Sequence, residues 1–127
     1  MKKLAIILSI SLAISIHFSF IKPASEAILG HWYAEALEES HIKVMKSKAG
    51  SYFGKISHSS KEYLVGEIIL KNITYNSDAN YWEGTLMPPH RNFAVDAKFY
   101  LEDEKTLQVK GQILFISKNY LWKRVEI

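Results

Sequence analysis

Two stretches decide the fold: residues 93–101 read FAVDAKFYL and residues 107–115 read LQVKGQILF. In each stretch apolar residues recur at every second position, and mostly polar residues stand between them. Successive side chains of a strand point to opposite faces, so this period of two predicts half-buried antiparallel strands. Residues 102–105 are all charged, and they predict the exposed connection of a hairpin. The predicted inward residues are Phe93, Val95, Ala97, Phe99, Leu101, Leu107, Val109, Gly111, Ile113 and Phe115.

Weaker alternation outside this hairpin predicts further strands. Loop-forming residues separate them, and only residues 35–40 are expected to form a helical turn or two. About eight short strands in about a hundred residues are typical of a small all-β barrel or sandwich. We predict a small antiparallel up-and-down barrel. The additional predicted strands are residues 29–34, 42–46, 52–57, 65–75, 81–87 and 120–125.

Tryptophans near both ends of this region predict how the barrel closes. Gly30-His31-Trp32 opens it and Trp122-Lys123-Arg124 nearly ends it. We expect Trp32 to cap one end of the barrel and Arg124 to lie across its ring. Such a cation–π contact contributes about 0.5 to 2 kcal/mol. Gly30, Trp32, Trp122 and Arg124 are therefore the predicted closure residues.

The N-terminal 27 residues predict a helical signal peptide. Lys2 and Lys3 precede an apolar run, and Ser25 and Ala27 are small residues at the positions that signal peptidase reads. Cleavage after Ala27 would leave a single barrel domain of residues 28–127, exported to the periplasm or the medium. The apolar run is shorter than the roughly twenty residues of a spanning helix. The alternative is an uncleaved N-terminal anchor.

Composition excludes several classes of function. Removal of Lys2, Lys3, Lys22 and Glu26 lowers the net charge from +3 to +1, with thirteen basic and twelve acidic residues left. A nearly neutral domain has no overall electrostatic footprint for nucleic acid or anionic lipid. The chain has no cysteine, so disulfides and thiolate chemistry are absent. We expect no nucleic-acid partner and no transmembrane span after cleavage, and the oligomeric state stays open.

Spaced glycines and tryptophans carry a family resemblance. The chain resembles an exported bacterial family called domain of unknown function 2147 over essentially the whole mature region. The resemblance implies a β-barrel like those of lipocalins and fatty-acid-binding proteins, with no established activity and no catalytic residue. The matching positions are Gly30-x-Trp32, Gly50, Tyr52-Phe53-Gly54-Lys55-Ile56, Gly66, Ile69, Trp82-Glu83-Gly84, Pro88 or Pro89, Phe93, Leu107-x-Val109-Lys110-Gly111 and Trp122-x-Arg124.

Two segments depart from the family pattern. Residues 57–64 are shorter than the Asp- and Asn-rich segment that the family carries, so a role for that acidic loop does not transfer to this chain. The stretch after Trp82-Glu83-Gly84 is altered to Leu86-Met87-Pro88-Pro89.

Aromatic residues on the inner face are the candidate ligand-binding residues. A barrel of eight strands has room either for packed side chains or for one modest ligand. The same residues could therefore line a cavity or fill a core. The candidates for the barrel interior are Tyr52, Trp82, Phe93, Phe99 and Phe115.

The sequence shows no recognisable set of catalytic or metal-binding residues. The histidines of the mature chain lie too far apart for a local metal-ligand spacing, and no nucleophile with an oriented base is visible. We expect no catalytic residue, no metal and no cofactor. The sequence favours a non-enzymatic barrel that binds a small apolar or amphipathic molecule. The alternatives are an envelope structural or protein-interaction module, with a partner patch at Leu114 and Ile116, and a metal-dependent enzyme.

Overall fold

Eight antiparallel strands form a closed barrel in the computed structural model, which describes residues 23–89 and 91–126. Each strand pairs with the next along the chain, and the last pairs with the first, so the topology is up-and-down. The predicted all-β barrel is confirmed. Residues 1–22 of the predicted signal peptide lie outside the described residues. The strands are β1 Gly30–Ala34, β2 Ser40–Lys46, β3 Tyr52–His58, β4 Ile68–Asn76, β5 Tyr81–Leu86, β6 Val95–Asp103, β7 Thr106–Ile113 and β8 Ile116–Val125.

The side chains of each strand alternate between its two faces, so every second side chain points into the barrel, and most of these are apolar. In β6, Val95, Ala97 and Phe99 are buried, while Asp96 and Lys98 between them are exposed. Three tryptophans, Trp32, Trp82 and Trp122, come from different strands and are all nearly inaccessible to solvent. Large aromatic rings bury the most apolar area per residue, so these side chains dominate the core.

The structure differs from the predicted elements in the connections. Residues 35–39 form a hydrogen-bonded turn rather than a helix, because Glu38 and Glu39 adopt φ of 54° and 51°, outside the right-handed helical region. A short 3-10 helix, Glu62–Leu64, precedes β4. The final strand begins at Ile116, four residues earlier than predicted, and a two-residue turn joins it to β7.

A second 3-10 helix, Ala24–Ile28, lies at the end of the barrel where β1 begins. We call this helix the plug. Ile28 is completely buried and belongs to the hydrophobic core, and Glu26 forms an ion pair with Lys46 at 3.7 Å. The plug therefore packs as part of the folded barrel.

Within the described residues, no helix has the length and apolar character needed to cross a membrane.

Candidate functional site

The two ends of the barrel carry different connections. The closed end bears the plug and the β2–β3, β4–β5 and β6–β7 loops. The open end bears the β1–β2, β3–β4 and β5–β6 connections and the β7–β8 turn.

Arg124 covers the closed end. Its guanidinium carbon lies 4.2 Å from the ring centroid of Trp32, which is cation–π geometry and the arrangement expected from the sequence. The guanidinium also donates hydrogen bonds to the carbonyl oxygens of Ala27, Leu29 and Glu104, at 2.6, 2.8 and 2.8 Å. Burial lowers the pKa of Arg124, but arginine stays protonated in proteins. One charged side chain therefore ties together the plug, the start of β1 and the β6–β7 loop.

Two buried indole groups complete the closed end. Trp32 Nε1 donates to the carbonyl of Ile28, and Trp82 Nε1 donates to the carbonyl of Ser25, both at 2.9 Å. Gly30 has φ of +126°, and a Cβ atom there would stand 2.8 Å from a guanidinium nitrogen of Arg124. Only glycine accommodates both this backbone and this close approach.

The open end holds a cleft of about 320 Å³. Its walls come from five parts of the chain: the β1–β2 turn, the Glu62–Leu64 helix, the end of β5, the β5–β6 loop and β8. Trp122 reaches it from the barrel core, since this side chain lines the cleft while only 3% of it is exposed. Most of the lining is apolar or aromatic, as is usual for small-molecule sites. The lining residues are Ala36, Leu37, Glu38, Tyr63, Leu64, Leu86, Pro88, Pro89, Arg91, Tyr120 and Trp122.

Hydrogen bonds fix one wall of the cleft. The carbonyl oxygen of Glu38 accepts from the Ser59 hydroxyl at 3.1 Å, the Ser60 hydroxyl at 2.8 Å and the Ser60 amide at 3.2 Å. Ser40 Oγ lies 2.9 Å from Ser59 Oγ, and both serines are buried. These contacts fasten the β1–β2 turn to the β3–β4 connection, so this wall is preformed.

The predicted interior aromatics divide into two groups. Tyr52, Trp82 and Phe99 point into the barrel and are almost fully buried in the core. Phe93 and Phe115 are placed wrongly by the alternation, because the structure exposes 44% of Phe93 and all of Phe115. Phe93 precedes β6, and Phe115 lies in the turn after β7. The alternation of a strand does not extend into either connection.

The residues of the cleft come mostly from outside the predicted set. Trp122 is predicted only as a closure residue, and Leu37, Leu64, Leu86 and Tyr120 are not among the predicted binding residues. A sequence signal for this region is the pair Pro88-Pro89, because prolines cannot donate to a sheet and therefore end a strand. Both prolines line the cleft.

A row of histidines lies on the outer wall of β1, β2 and β3. The ring centroids of His41 and His58 are 5.3 Å apart, and His41 contacts Tyr33 edge-on at 5.6 Å. Burial, followed by the nearby His58 and His31, lowers the pKa of His41. Across residues 23–89 and 91–126, no group of three or more His, Cys, Asp or Glu residues is arranged to hold a metal ion.

Comparison with known families gives one match. Residues 30–124 match the family model described as "Uncharacterized protein conserved in bacteria (DUF2147)". The match spans all eight strands except the last residue of β8. Comparisons with curated proteins and with solved structures give no significant match.

Proposed function

The chain belongs to the bacterial family DUF2147, and we propose that it is a non-enzymatic barrel that binds a small apolar or amphipathic molecule. The binding site of this proposal is the open-end cleft rather than the interior of the barrel. As in lipocalin-like and fatty-acid-binding-protein-like barrels, one end is closed and a ligand would approach from the other. The proposal includes the export that residues 1–27 predict.

One observation carries the proposal: an apolar cleft with a preformed wall lies opposite a plugged end. Its volume of about 320 Å³ is at the lower limit of the roughly 300 to 1,000 Å³ of small-molecule sites. The ligand of this proposal is therefore small, in the range of a short acyl chain or a single ring system.

The polar groups of the lining define the rest of the ligand. Arg91 is the only cation and Glu38 the only acid among the described lining residues. The remaining lining is dominated by Leu, Pro and aromatic side chains. An amphipathic molecule with an apolar body and one negatively charged group fits this lining, with its charge near Arg91.

Filling the cleft tests the proposal. Ala36 is exposed and lines the cleft, so Ala36→Trp would occupy it without removing a core contact. The probe is 8-anilinonaphthalene-1-sulfonate, which has an apolar body and one anionic group. We expect Ala36→Trp to weaken probe binding about tenfold, which corresponds to about 1.4 kcal/mol. The measurement is a fluorescence titration.

The matched control is Ala49→Trp, which places the same side chain at an exposed position of the β2–β3 loop at the closed end. We expect it to leave probe affinity unchanged. Equal affinity in the Ala36→Trp variant and the wild type would contradict the proposal.

A second measurement addresses the natural ligand. The protein isolated from its own envelope extract is weighed by mass spectrometry under native and denaturing conditions. We expect an extra mass that is lost on denaturation and is absent from the Ala36→Trp variant. A bare mass in every native preparation would count against a stored ligand.

A further inference from the structure

The β7–β8 hairpin projects at the open end beyond its pairing with the two neighbouring strands, β6 and β1. The pairing of β6 with β7 stops at Gln112, and the pairing of β1 with β8 stops at Lys123. Residues 112–119 are all exposed. Their side chains on the inner face of the strands therefore meet solvent rather than the core.

The tip of this hairpin is apolar and exposed. Residues 113–116 read ILFI, and 83% of Leu114, all of Phe115 and 65% of Ile116 are exposed. Burying such side chains is favourable by roughly 1.5 to 3 kcal/mol each, so a soluble domain gains nothing by displaying them together. Exposed apolar patches of this kind mark interaction sites.

The backbone of the tip is also unfavourable for its sequence. Leu114 adopts φ of 52°, a left-handed conformation that suits Gly, Asn or Asp and that other residues adopt at a cost. Two-residue hairpin turns favour Asn or Gly at this position. The turn therefore carries a large apolar residue where folding alone favours a small or polar one. This conflict is an indication of function that is independent of the exposure.

The charge of the hairpin is one-sided. Residues 106–125 contain no acidic residue, and the cations on the side of the tip are Lys110 and Lys118, because Lys123 and Arg124 lie at the closed end. The net charge of the domain is close to zero only because the acids lie elsewhere, including Glu35, Glu38 and Glu39 in the neighbouring β1–β2 turn. Lys118 is two residues from Ile116 and is exposed.

We propose that the tip, residues 113–116, inserts into the interface of a bilayer that contains anionic lipids. A convex apolar tip flanked by cations matches the layers of a membrane surface, since apolar side chains enter the acyl boundary and lysines meet the anionic headgroups. The acidic β1–β2 turn is repelled by the same headgroups. The molecule therefore docks by the tip, without laying its whole open end on the membrane. The proposal does not depend on ligand binding in the cleft.

The absence of cysteine makes a direct test available. Phe115→Cys introduces a single thiol at the tip, and Leu121→Cys introduces one on an exposed face of the same hairpin, away from the tip. Each full-length variant is labelled with a nitrobenzoxadiazole fluorophore and mixed with vesicles that carry a nitroxide quencher in the acyl region. A quencher at this depth reports insertion of the labelled site whether or not the N-terminal apolar run also binds the vesicle.

We expect strong quenching at position 115 and little at position 121. Quenching at 115 should fall at least threefold when phosphatidylcholine replaces about 30% phosphatidylglycerol in the vesicles, because the electrostatic attraction is lost. It should also fall at least threefold in a Leu114→Asn, Ile116→Asn background. Asn tolerates the backbone at position 114, so circular dichroism should show an intact barrel in that variant.

Other outcomes would overturn the proposal. Equal quenching at both positions, or none at either, means that the tip does not insert. A blue shift of the label at position 115 that grows with protein concentration in the absence of vesicles, together with dimers in sedimentation, would instead assign the tip to a second copy of the chain.

Discussion

The closed end and the open end of this barrel are built from different kinds of contact. At the closed end, two buried indole groups and one guanidinium find carbonyl acceptors, and a cation–π contact covers the core. At the open end, apolar side chains line a cleft and project from a hairpin tip. The polar contacts of the closed end hold the plug over the core, whereas those of the open end fasten one wall of the cleft, and the exposed apolar surface lies at the open end, where binding is proposed. Substitutions at the two ends should have separable effects.

The largest expected effect is at Trp32. Trp32→Ala removes a completely buried ring, its hydrogen bond to Ile28 and the surface that Arg124 covers. Truncation of a buried Trp costs about 3 to 5 kcal/mol of unfolding free energy. Urea denaturation should show this loss, or the variant should fail to fold. Leu121→Ala, an exposed position on β8, should stay within about 0.5 kcal/mol of wild type. A similar loss in both variants would remove the distinction between the core closure and the surface.

Arg124→Lys should have the next largest effect, because it keeps the charge and removes the planar fork. A lysine cannot donate in fixed geometry to the carbonyls of Ala27, Leu29 and Glu104, and it stacks less well on Trp32. We expect a loss of about 2 kcal/mol in urea denaturation, since hydrogen bonds of charged donors contribute about 1.5 to 3 kcal/mol each and this site is partly exposed.

The matched control is Arg91→Lys at the open end. Arg91 is an exposed lining residue of the cleft, so its replacement should leave the free energy of unfolding unchanged. Equal losses in the two variants would contradict the separation of the two ends.

The smallest effect should be a pH dependence on the outer wall near the open end. The pKa of His41 is lowered by burial and by His58 and His31, so the unfolded chain binds a proton more readily than the folded one. Stability should therefore fall as the pH drops below about 6.5, the ordinary histidine pKa. His58→Gln removes one of the two charged neighbours. The urea midpoint of that variant should decline less than that of wild type between pH 7.5 and 5.5, and equal declines would argue against the coupling.

Alternation was sufficient to predict the barrel because every strand has a neighbour on both sides and turns one face to a common core. Val95, Ala97 and Phe99 are buried as their parity requires. The position of a residue in the alternation predicts the face of the strand on which its side chain lies. It does not predict whether the core extends to that position. Ile113 is on the inner face of β7, yet it lies beyond the last residue pair between β6 and β7 and is exposed. The predicted inward position of Phe115 is wrong for a related reason, since this residue lies in a turn, where the alternation ends.

The closure residues were accessible to prediction because Trp32 and Arg124 lie on strands that must pair when the barrel closes. The cleft was not. Leu37, Leu64 and Tyr120 belong to segments far apart in sequence, and only the closed topology brings them together. Their residue types are ordinary for a core, so nothing in the sequence separates them from buried neighbours.

The plug bears on proteolytic processing of the chain. Peptidase cleavage after Ala27 would remove the carbonyl acceptors of Ser25 and Ala27, and would leave the indole N–H of Trp82 and one guanidinium N–H without their partners. It would also turn Ile28, which is fully covered while residues 23–27 are in place, into a charged amino terminus. A chain cleaved there would therefore close this end of the barrel with fewer hydrogen bonds than the chain described here.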